Sequence, residues 1–261
     1  MSVVLITGCS TGIGRAAALG FARRGDRVYA TMRNPAGGDD LRDTITAEGL
    51  DAEILALDVT STTSVQAAFD HILATDGRID VVVNNAGVGP FAPIERTTDY
   101  DWLTTFDTNL FGAVRTARAA LPAMRAQGGG TIVNVSSIAG RLASIPTQSA
   151  YAASKHAVCA LTDSLVAECA DFGIKAFCIE PGFFATAIMD KDTVAHLDDA
   201  DPYKPIADNI EQFFRASVAA APAPDAVVDL LLAAADRTLP DGIHHPVGIP
   251  GLEPTASAAR T

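Results

Sequence analysis

Tyr151 and Lys155 stand four residues apart in the stretch Tyr-Ala-Ala-Ser-Lys. On a helix that spacing puts both side chains on one face, one turn apart. A free phenol titrates near ~10 and a free ammonium near ~10.4. An ammonium held beside a phenol favours the phenolate and lowers its pKa, which gives a proton donor and acceptor usable near neutral pH. The pair alone also fits an ordinary solvated helix face. Its meaning therefore depends on what the other elements place around it.

Residues 3–6, Val-Val-Leu-Ile, suit a strand buried on both faces. Thr7-Gly8-Cys9-Ser10-Thr11-Gly12-Ile13-Gly14 follows, then a helical pattern stopped by Gly25. Strand, glycine-rich turn and helix together suit a dinucleotide site, a plain tight turn being the other reading. The missing side chains let the backbone approach a pyrophosphate, and the helix N-terminus supplies N–H donors. The glycine spacing is G-x3-G-x-G rather than G-x-G-x-x-G. A second strand, 27–32, ends at Arg33, where an acid would grip the ribose 2′-hydroxyl of NAD. Arg33 can instead pair bidentately with a 2′-phosphate, so NADP is favoured over NAD. The third strand ends at Asp58, whose carboxylate can meet an adenine amino group or N-cap the next helix, with Thr60 and Ser61 competing for the cap.

The fourth strand, 79–83, ends in Asn84-Asn85-Ala86-Gly87. Asn side chains there can tie strands together, and Ala86 and Gly87 leave room for a ribose. Residues 99–127 read as one long helix with Asn109 inside it, a mildly unfavourable place for Asn, and with Pro122 bending or ending it. The fifth strand, 131–135, ends at Ser136-Ser137. Tyr151 then opens a helix to about residue 172, and a sixth strand, 175–179, leads to Glu180-Pro181-Gly182.

This alternation predicts an α/β fold, a single doubly wound Rossmann-type parallel sheet of about seven strands with helices on both faces, and ligands outside the C-terminal strand ends. Residues 1–251 are expected to form one dinucleotide-binding and catalytic domain. Within it, 183–217 mixes Phe183, Phe184 and Met189 with many acids, which suits a substrate-binding lid over an apolar pocket. The segment 244–248 reads as a last strand on which His244 and His245 face opposite sides, making them poor joint metal ligands. Residues 252–261 read as a disordered tail.

The 261 residues are 48% hydrophobic and 19% charged, with a formal net charge of -12. That charge argues against nucleic acid or an anionic membrane surface as a partner and leaves a small-molecule substrate. Cys9, Cys159, Cys169 and Cys178 show no C-x-x-C spacing and read as small buried hydrophobes, so no metal is expected. With no run of 18 apolar residues and no basic leader, a cytoplasmic protein is expected.

Together, Thr7-Gly8-x-x-x-Gly12-Ile13-Gly14, Asn84-Asn85-Ala86-Gly87, Asn109, Ser136-Ser137, Tyr151-x-x-x-Lys155 and Pro181-Gly182 with Thr186 resemble the short-chain dehydrogenase/reductase family in its compact form. Segments 29–33 and 246–248 look most like its branch of 17-beta-hydroxysteroid and retinol dehydrogenases. The resemblance implies Tyr151 as general acid/base, Lys155 lowering its pKa and holding the nicotinamide ribose, and Ser137, with Ser136 as the alternative, binding the substrate oxygen. It implies Asn109 holding a water in a proton relay to Lys155, Thr186 and the backbone after Pro181 clamping the carboxamide, and Ser10 and Arg33 contacting the 2′-phosphate. The expected activity is hydride transfer between NADP(H) and a secondary alcohol or ketone of moderate size and apolar character (a steroid, terpenoid, polyketide or aryl ketone). An NAD-dependent alcohol dehydrogenase and a non-catalytic nucleotide sensor are the alternatives. Segments 99–127 and 151–172 resemble the family's contact surfaces, implying a homodimer or homotetramer.

Overall fold

The valine-rich runs of the sequence become the strands of one parallel sheet. In a computed structural model that describes residues 1–142, 145–185, 197–249, 252, 254 and 255, these are β1 (Val3–Thr7), β2 (Arg27–Met32), β3 (Ala52–Ala56), β4 (Val81–Asn84), β5 (Gly130–Val135), β6 (Ile174–Pro181) and β7 (His244–Val247). Their order is β3-β2-β1-β4-β5-β6-β7, every pair parallel. The central strands β1, β4 and β5 are buried along their whole length, which is why their sequences are continuously apolar rather than alternating.

Side chains of β1 still divide between two cores. Val4 and Ile6 pack with α1 (Gly12–Arg23), α2 (Asp39–Glu48) and α8 (Asp225–Ala235). Val3 and Leu5 pack with α3 (Thr62–Asp76), α5 (Gly112–Ala126) and α6 (Ser149–Cys169). The chain winds outward from β1 to β3 and then returns to lay β4 beside β1. The crevice beyond the C-terminal ends of β1 and β4 is therefore the topological switch point, where ligands bind in such sheets. A buried polar chain fixes the second core to the sheet. Thr116 Oγ1 donates to Asn84 Oδ1 (2.6 Å), Asn84 Nδ2 to Asn134 Oδ1 (2.8 Å), and Asn134 Nδ2 to Thr162 Oγ1 (2.9 Å).

Local departures from the sequence expectations have physical causes. The helix expected over 99–127 is three pieces: α4 (Asp99–Phe106), one π-helical turn (Asp107–Phe111) and α5. Pro122 does not end α5, because buried Ala117, Ala120 and Met124 hold the helix against the sheet despite one missing N–H. α6 begins at Ser149, two residues before Tyr151. Ser61 caps α3, its Oγ accepting from Ser64 N–H at 3.2 Å. Asp58 accepts from Thr60 N (2.9 Å) and Oγ1 (2.7 Å) instead.

At the far edge, β7 is joined by a short antiparallel bridge between His244 and Thr255, so the tail expected to be disordered returns to the sheet at this residue. Among the described residues no helix is long and apolar enough to cross a membrane.

Candidate active site

One cleft opens at the switch point, and nearly all the residues singled out in the sequence reach it. Its floor is the glycine-rich turn. Gly8 has φ 75°, and a Cβ there would lie 2.9 Å from Ala86 Cα, so only glycine lets the ends of β1 and β4 approach this closely. Thr7 Oγ1 accepts from the N–H groups of Asn85 and Ala86, each at 3.0 Å, and Asn85 Nδ2 donates to the carbonyls of Thr7 (2.9 Å) and Gly8 (3.2 Å). Thr11, the N-cap of α1, makes no side-chain capping bond. The first-turn N–H groups of α1 thus face the cleft with no cap consuming them, a ready anion site. Ser10, Thr11, Gly12, Ile13, Arg33, Asp58 and Gly87 line the same wall. Arg33 is exposed, and its guanidinium makes no hydrogen bond or ion pair among the described residues.

The chemistry-bearing groups stand at the other end of the cleft. Ser137 and Tyr151 line this end together, and Ser137 favours the charged form of the phenol. Ser136 is turned away: its Oγ donates to the Lys155 carbonyl at 2.9 Å, so of the two serines Ser137 is the one facing Tyr151. Lys155 Nζ donates to Val135 O at 2.8 Å and lies 5.7 Å from the centroid of the Tyr151 ring. Burial lowers the Lys155 ammonium to about 8. Burial raises the Tyr151 phenol, and Ser137 opposes that rise.

Asn109 is 3% exposed, and its side chain is engaged. Oδ1 accepts from Val88 N–H (2.8 Å), while Nδ2 donates to Val88 O (2.8 Å) and to Ser154 Oγ (2.9 Å). The π turn puts it there by shifting the register of the helix toward the loop after β4, a frequent device at functional sites. Asn109 Oδ1 and Lys155 Nζ both face Gly87, 3.4 and 3.5 Å from where its Cβ would be.

An apolar wall closes this end. α7 (Lys204–Ala219) brings Phe214 edge-on to Phe91 (5.0 Å between centroids) and to Phe183 (5.3 Å), with Ile145 and Val218 beside them. Surface contacts latch α7 to the loop before α4: Arg96 pairs with Asp201 at 2.7 Å, and the Tyr203 hydroxyl donates to Glu95 at 2.6 Å. Thr147 holds a left-handed φ of 71°, and its carbonyl accepts from Ala92 N–H at 2.8 Å, tying the two rims.

Among the substrate residues expected from sequence, Phe183 lines this wall. Phe184 touches the cleft but is 4% exposed and packs into the first core, so it is mainly a core residue. Pro181 and Gly182 line the cleft, with the Gly182 N–H taken by Val247 O at 2.8 Å. Thr186 and Met189 lie outside the described residues. Sequence reasoning missed Ile145, Gln148 and Val218, which line the cleft; Phe214, from the segment expected as a lid, and Phe91 line it too. It also missed Gly89, where a Cβ would lie 2.5 Å from the Tyr151 ring. The proline-flanked loop holding Gly89 and Phe91 was the available signal, since short apolar residues in such a loop at a strand end suit a site mouth.

Comparison with known proteins agrees with this geometry. The family model described as short chain dehydrogenase matches residues 2–196. The chain is 40% identical over 192 residues to human retinol dehydrogenase 16, covering 72% of this chain and 59% of that protein. A short chain dehydrogenase/reductase of Burkholderia phymatum, crystallised with NAD, superimposes with a TM-score of 0.83 at 28% identity, over 95% of this chain and 89% of that one. A gluconate 5-dehydrogenase of Burkholderia cenocepacia, crystallised with NADP and tartrate, does so with a TM-score of 0.69 at 31% identity, over 90% and 91%. With the family's motifs brought to one cleft by the parallel sheet, the chain belongs to the short-chain dehydrogenase family.

Proposed function

We propose that this oxidoreductase interconverts a secondary alcohol and a ketone on an apolar substrate of moderate size, with NADP(H) as cofactor. The observation that carries the reading is the convergence of Ser137, Tyr151 and Lys155 in one cleft, between the glycine-floored crevice and the Phe91–Phe183–Phe214 wall. The chain fits a dinucleotide because the Gly8 turn and the uncapped start of α1 leave backbone donors in the cleft. Gly8, Thr11, Gly12, Ile13 and Gly14 would hold the pyrophosphate, Asp58 the adenine, and Asn85, Ala86 and Gly87 a ribose. Ser10 and Arg33 would hold the 2′-phosphate, Tyr151 and Lys155 the nicotinamide ribose, and Pro181, Gly182 and Thr186 the carboxamide. When bound, the nicotinamide supplies or takes the hydride.

The chain's own part is to position and to move a proton. In reduction Tyr151 Oη gives a proton to the substrate oxygen while Ser137 Oγ donates a hydrogen bond to the same oxygen. Lys155 supplies positive charge behind the phenol. With both Nδ2 hydrogens engaged, Asn109 serves a water relay to Lys155 only through its main chain or the second lone pair of Oδ1. Residues 1–251 act as one domain in this reading, with 183–217 as the lid. The four free cysteines fit a cytoplasmic setting, and exposed Tyr100 (75%) and Leu103 (69%) on α4 fit a homodimer or homotetramer surface.

Cofactor choice turns on Arg33. Losing one charge-assisted phosphate pair costs about 1.5–3 kcal/mol, roughly tenfold or more in affinity. Fluorescence titration of Arg33→Ala is expected to show that loss for NADPH and none for NADH. Equal affinities in wild type, unchanged by the substitution, would make NAD the cofactor, the alternative favoured by the NAD-bound Burkholderia phymatum relative.

The raised Tyr151 phenol sets a pH signature. Reduction needs the protonated phenol and oxidation the phenolate. Reductive kcat/KM is therefore expected to stay flat through neutral pH, and oxidative kcat/KM to climb about tenfold per pH unit below the Tyr151 pKa. Parallel profiles in the two directions would exclude Tyr151 as the titrating group.

A further inference from the structure

A second cluster of chemistry-bearing side chains lies behind the cleft and serves no role in the reading above. Cys178 and Glu180 alternate on β6 and so share a face. Cys178 is in register with His244 on β7, which presents its imidazole to the same side. His245 points the other way, edge-on to Phe177. α6 covers this face and delivers Cys159 one turn beyond Lys155. The four residues are 0–1% exposed, and their ligand-type atoms all lie within 4.8 Å of one another. Among the described residues no other group of three or more His, Cys, Asp or Glu side chains converges in this way.

We propose that Cys159, Cys178, Glu180 and His244 form a closed structural zinc site. The donor spacings match a tetrahedron. With Zn–S near ~2.3 Å and Zn–N or Zn–O near ~2.0 Å, sulfurs should be about 3.8 Å apart and sulfur and oxygen about 3.5 Å apart. Cys159 Sγ lies 3.7 Å from Cys178 Sγ and 3.6 Å from Glu180 Oε1. His244 Nδ1 and Glu180 Oε1, 2.9 Å apart, need open by only a few tenths of an ångström.

The outer partners are those a metal site requires. His244 Nε2 faces Asp163 Oδ1 at 2.8 Å, one turn beyond Cys159 on α6. That carboxylate holds the proton on Nε2 and leaves the Nδ1 lone pair for the metal. Glu180 Oε2 pairs with Arg141 at 3.2 Å, so Oε1 is the ligand atom. Two thiolates and the Glu180 carboxylate are offset by Zn²⁺ and the Arg141 guanidinium, and the Asp163 carboxylate stands outside them, partly exposed. Paired soft sulfur donors select zinc over magnesium, calcium or manganese. Four protein ligands with none left for water make the site structural rather than catalytic.

Its position gives it a purpose. Cys159 touches Ser136 Oγ at 3.3 Å, and Ser136 anchors the Lys155 carbonyl. Glu180 immediately precedes Pro181 and Gly182. The ion would pin α6, β6 and β7 together directly beneath Ser137, Tyr151 and Lys155.

The test is metal analysis of the intact protein, purified under reducing conditions without chelator, then exchanged with Co²⁺. About one zinc per chain and the intense visible absorption of tetrahedral cobalt–thiolate are expected. Asp163→Asn removes only the outer partner of His244 and should weaken zinc about 10- to 100-fold. Cys169→Ser, outside the cluster, should leave binding unchanged. Wild-type protein that is folded, holds no zinc and gives no thiolate–cobalt band overturns the proposal without any variant. So does a Cys159–Cys178 disulfide found by mass in the protein as isolated, or zinc retained at full affinity by a folded Cys178→Ser variant.

Discussion

Tyr151→Phe is expected to lower kcat by about 10²- to 10⁴-fold, the usual contribution of a positioned general acid, and to leave the fold intact. The substitution removes a single oxygen from a ring whose packing is already fixed: the Gly89 backbone lies so close that a Cβ would come within 2.5 Å of it. Ser137 Oγ loses the phenol as a neighbour but still accepts from Ala139 N–H at 3.2 Å, so the stability cost should stay near ~1 kcal/mol, about 2–4 °C in Tm. Cofactor affinity should fall by no more than the one ribose hydrogen bond Tyr151 offers, about 0.5–1.5 kcal/mol, because Lys155 is held independently by Val135 O. Ser137→Ala removes one donor to the developing oxyanion and should cost about 10²–10³ in kcat. The two act on one substrate oxygen, so the double variant should fall well short of the product of the single losses. Turnover, Tm and cofactor titration on the same preparations make the check. A folded, cofactor-binding Tyr151→Phe enzyme with wild-type turnover would remove Tyr151 from the chemistry.

The parts of the site visible in the sequence are those set by local rules. Val3-Val4-Leu5-Ile6 and Val81-Val82-Val83 can bury both faces only in a parallel sheet, and the glycines at 8, 12 and 14 are needed wherever backbone meets backbone. The Asn84–Asn85 pair ties strands as its amides suggest. What escaped depends on partners distant in the chain. Asn109 sits in a π turn because Val88 and Ser154 together take its amide, and no pattern within 99–127 encodes either. The Phe91–Phe214 contact joins residues 123 apart, across a lid whose helical spacing announces its apolar face but not what it covers.

The convergence of Cys159, Cys178, Glu180 and His244 escaped for the same reason. Cysteine spacing along the chain registers near neighbours, whereas these residues come from α6, β6 and β7 and meet only through the register of the sheet edge. Lys155 and Tyr151 show the opposite limit. Their spacing was plain, but not their burial, which raises the phenol and lowers the ammonium.

The glycine floor gives the other large expected effect. Glycine in a helix is ordinarily about 1 kcal/mol worse than alanine, so propensity alone predicts that Gly14→Ala on α1 stabilises. Packing reverses the sign. An added Cβ would lie 2.3 Å from Gly8 O and 2.4 Å from Asn85 Nδ2. Neither can step aside, since Gly8 already abuts Ala86 and the Asn85 amide is bonded to the carbonyls of Thr7 and Gly8. Overpacking of this kind costs about 1–3 kcal/mol, or roughly 2–12 °C in Tm at about 2–4 °C per kcal/mol. Because the displaced atoms are the turn that faces the cleft, cofactor affinity should fall by more than about tenfold. Gly37→Ala is the matched control: nothing lies within 4 Å of its Cβ position, and a small gain of about 0.4–1 kcal/mol is expected from a stiffer unfolded chain. Thermal melts and cofactor titrations of the two variants separate the ideas. Equal behaviour would mean that the close approach of α1 to the β1–β4 crevice is not what makes this surface a nucleotide site. Loss confined to Gly14→Ala would tie dinucleotide binding to the contact between Gly14, Gly8 and Asn85.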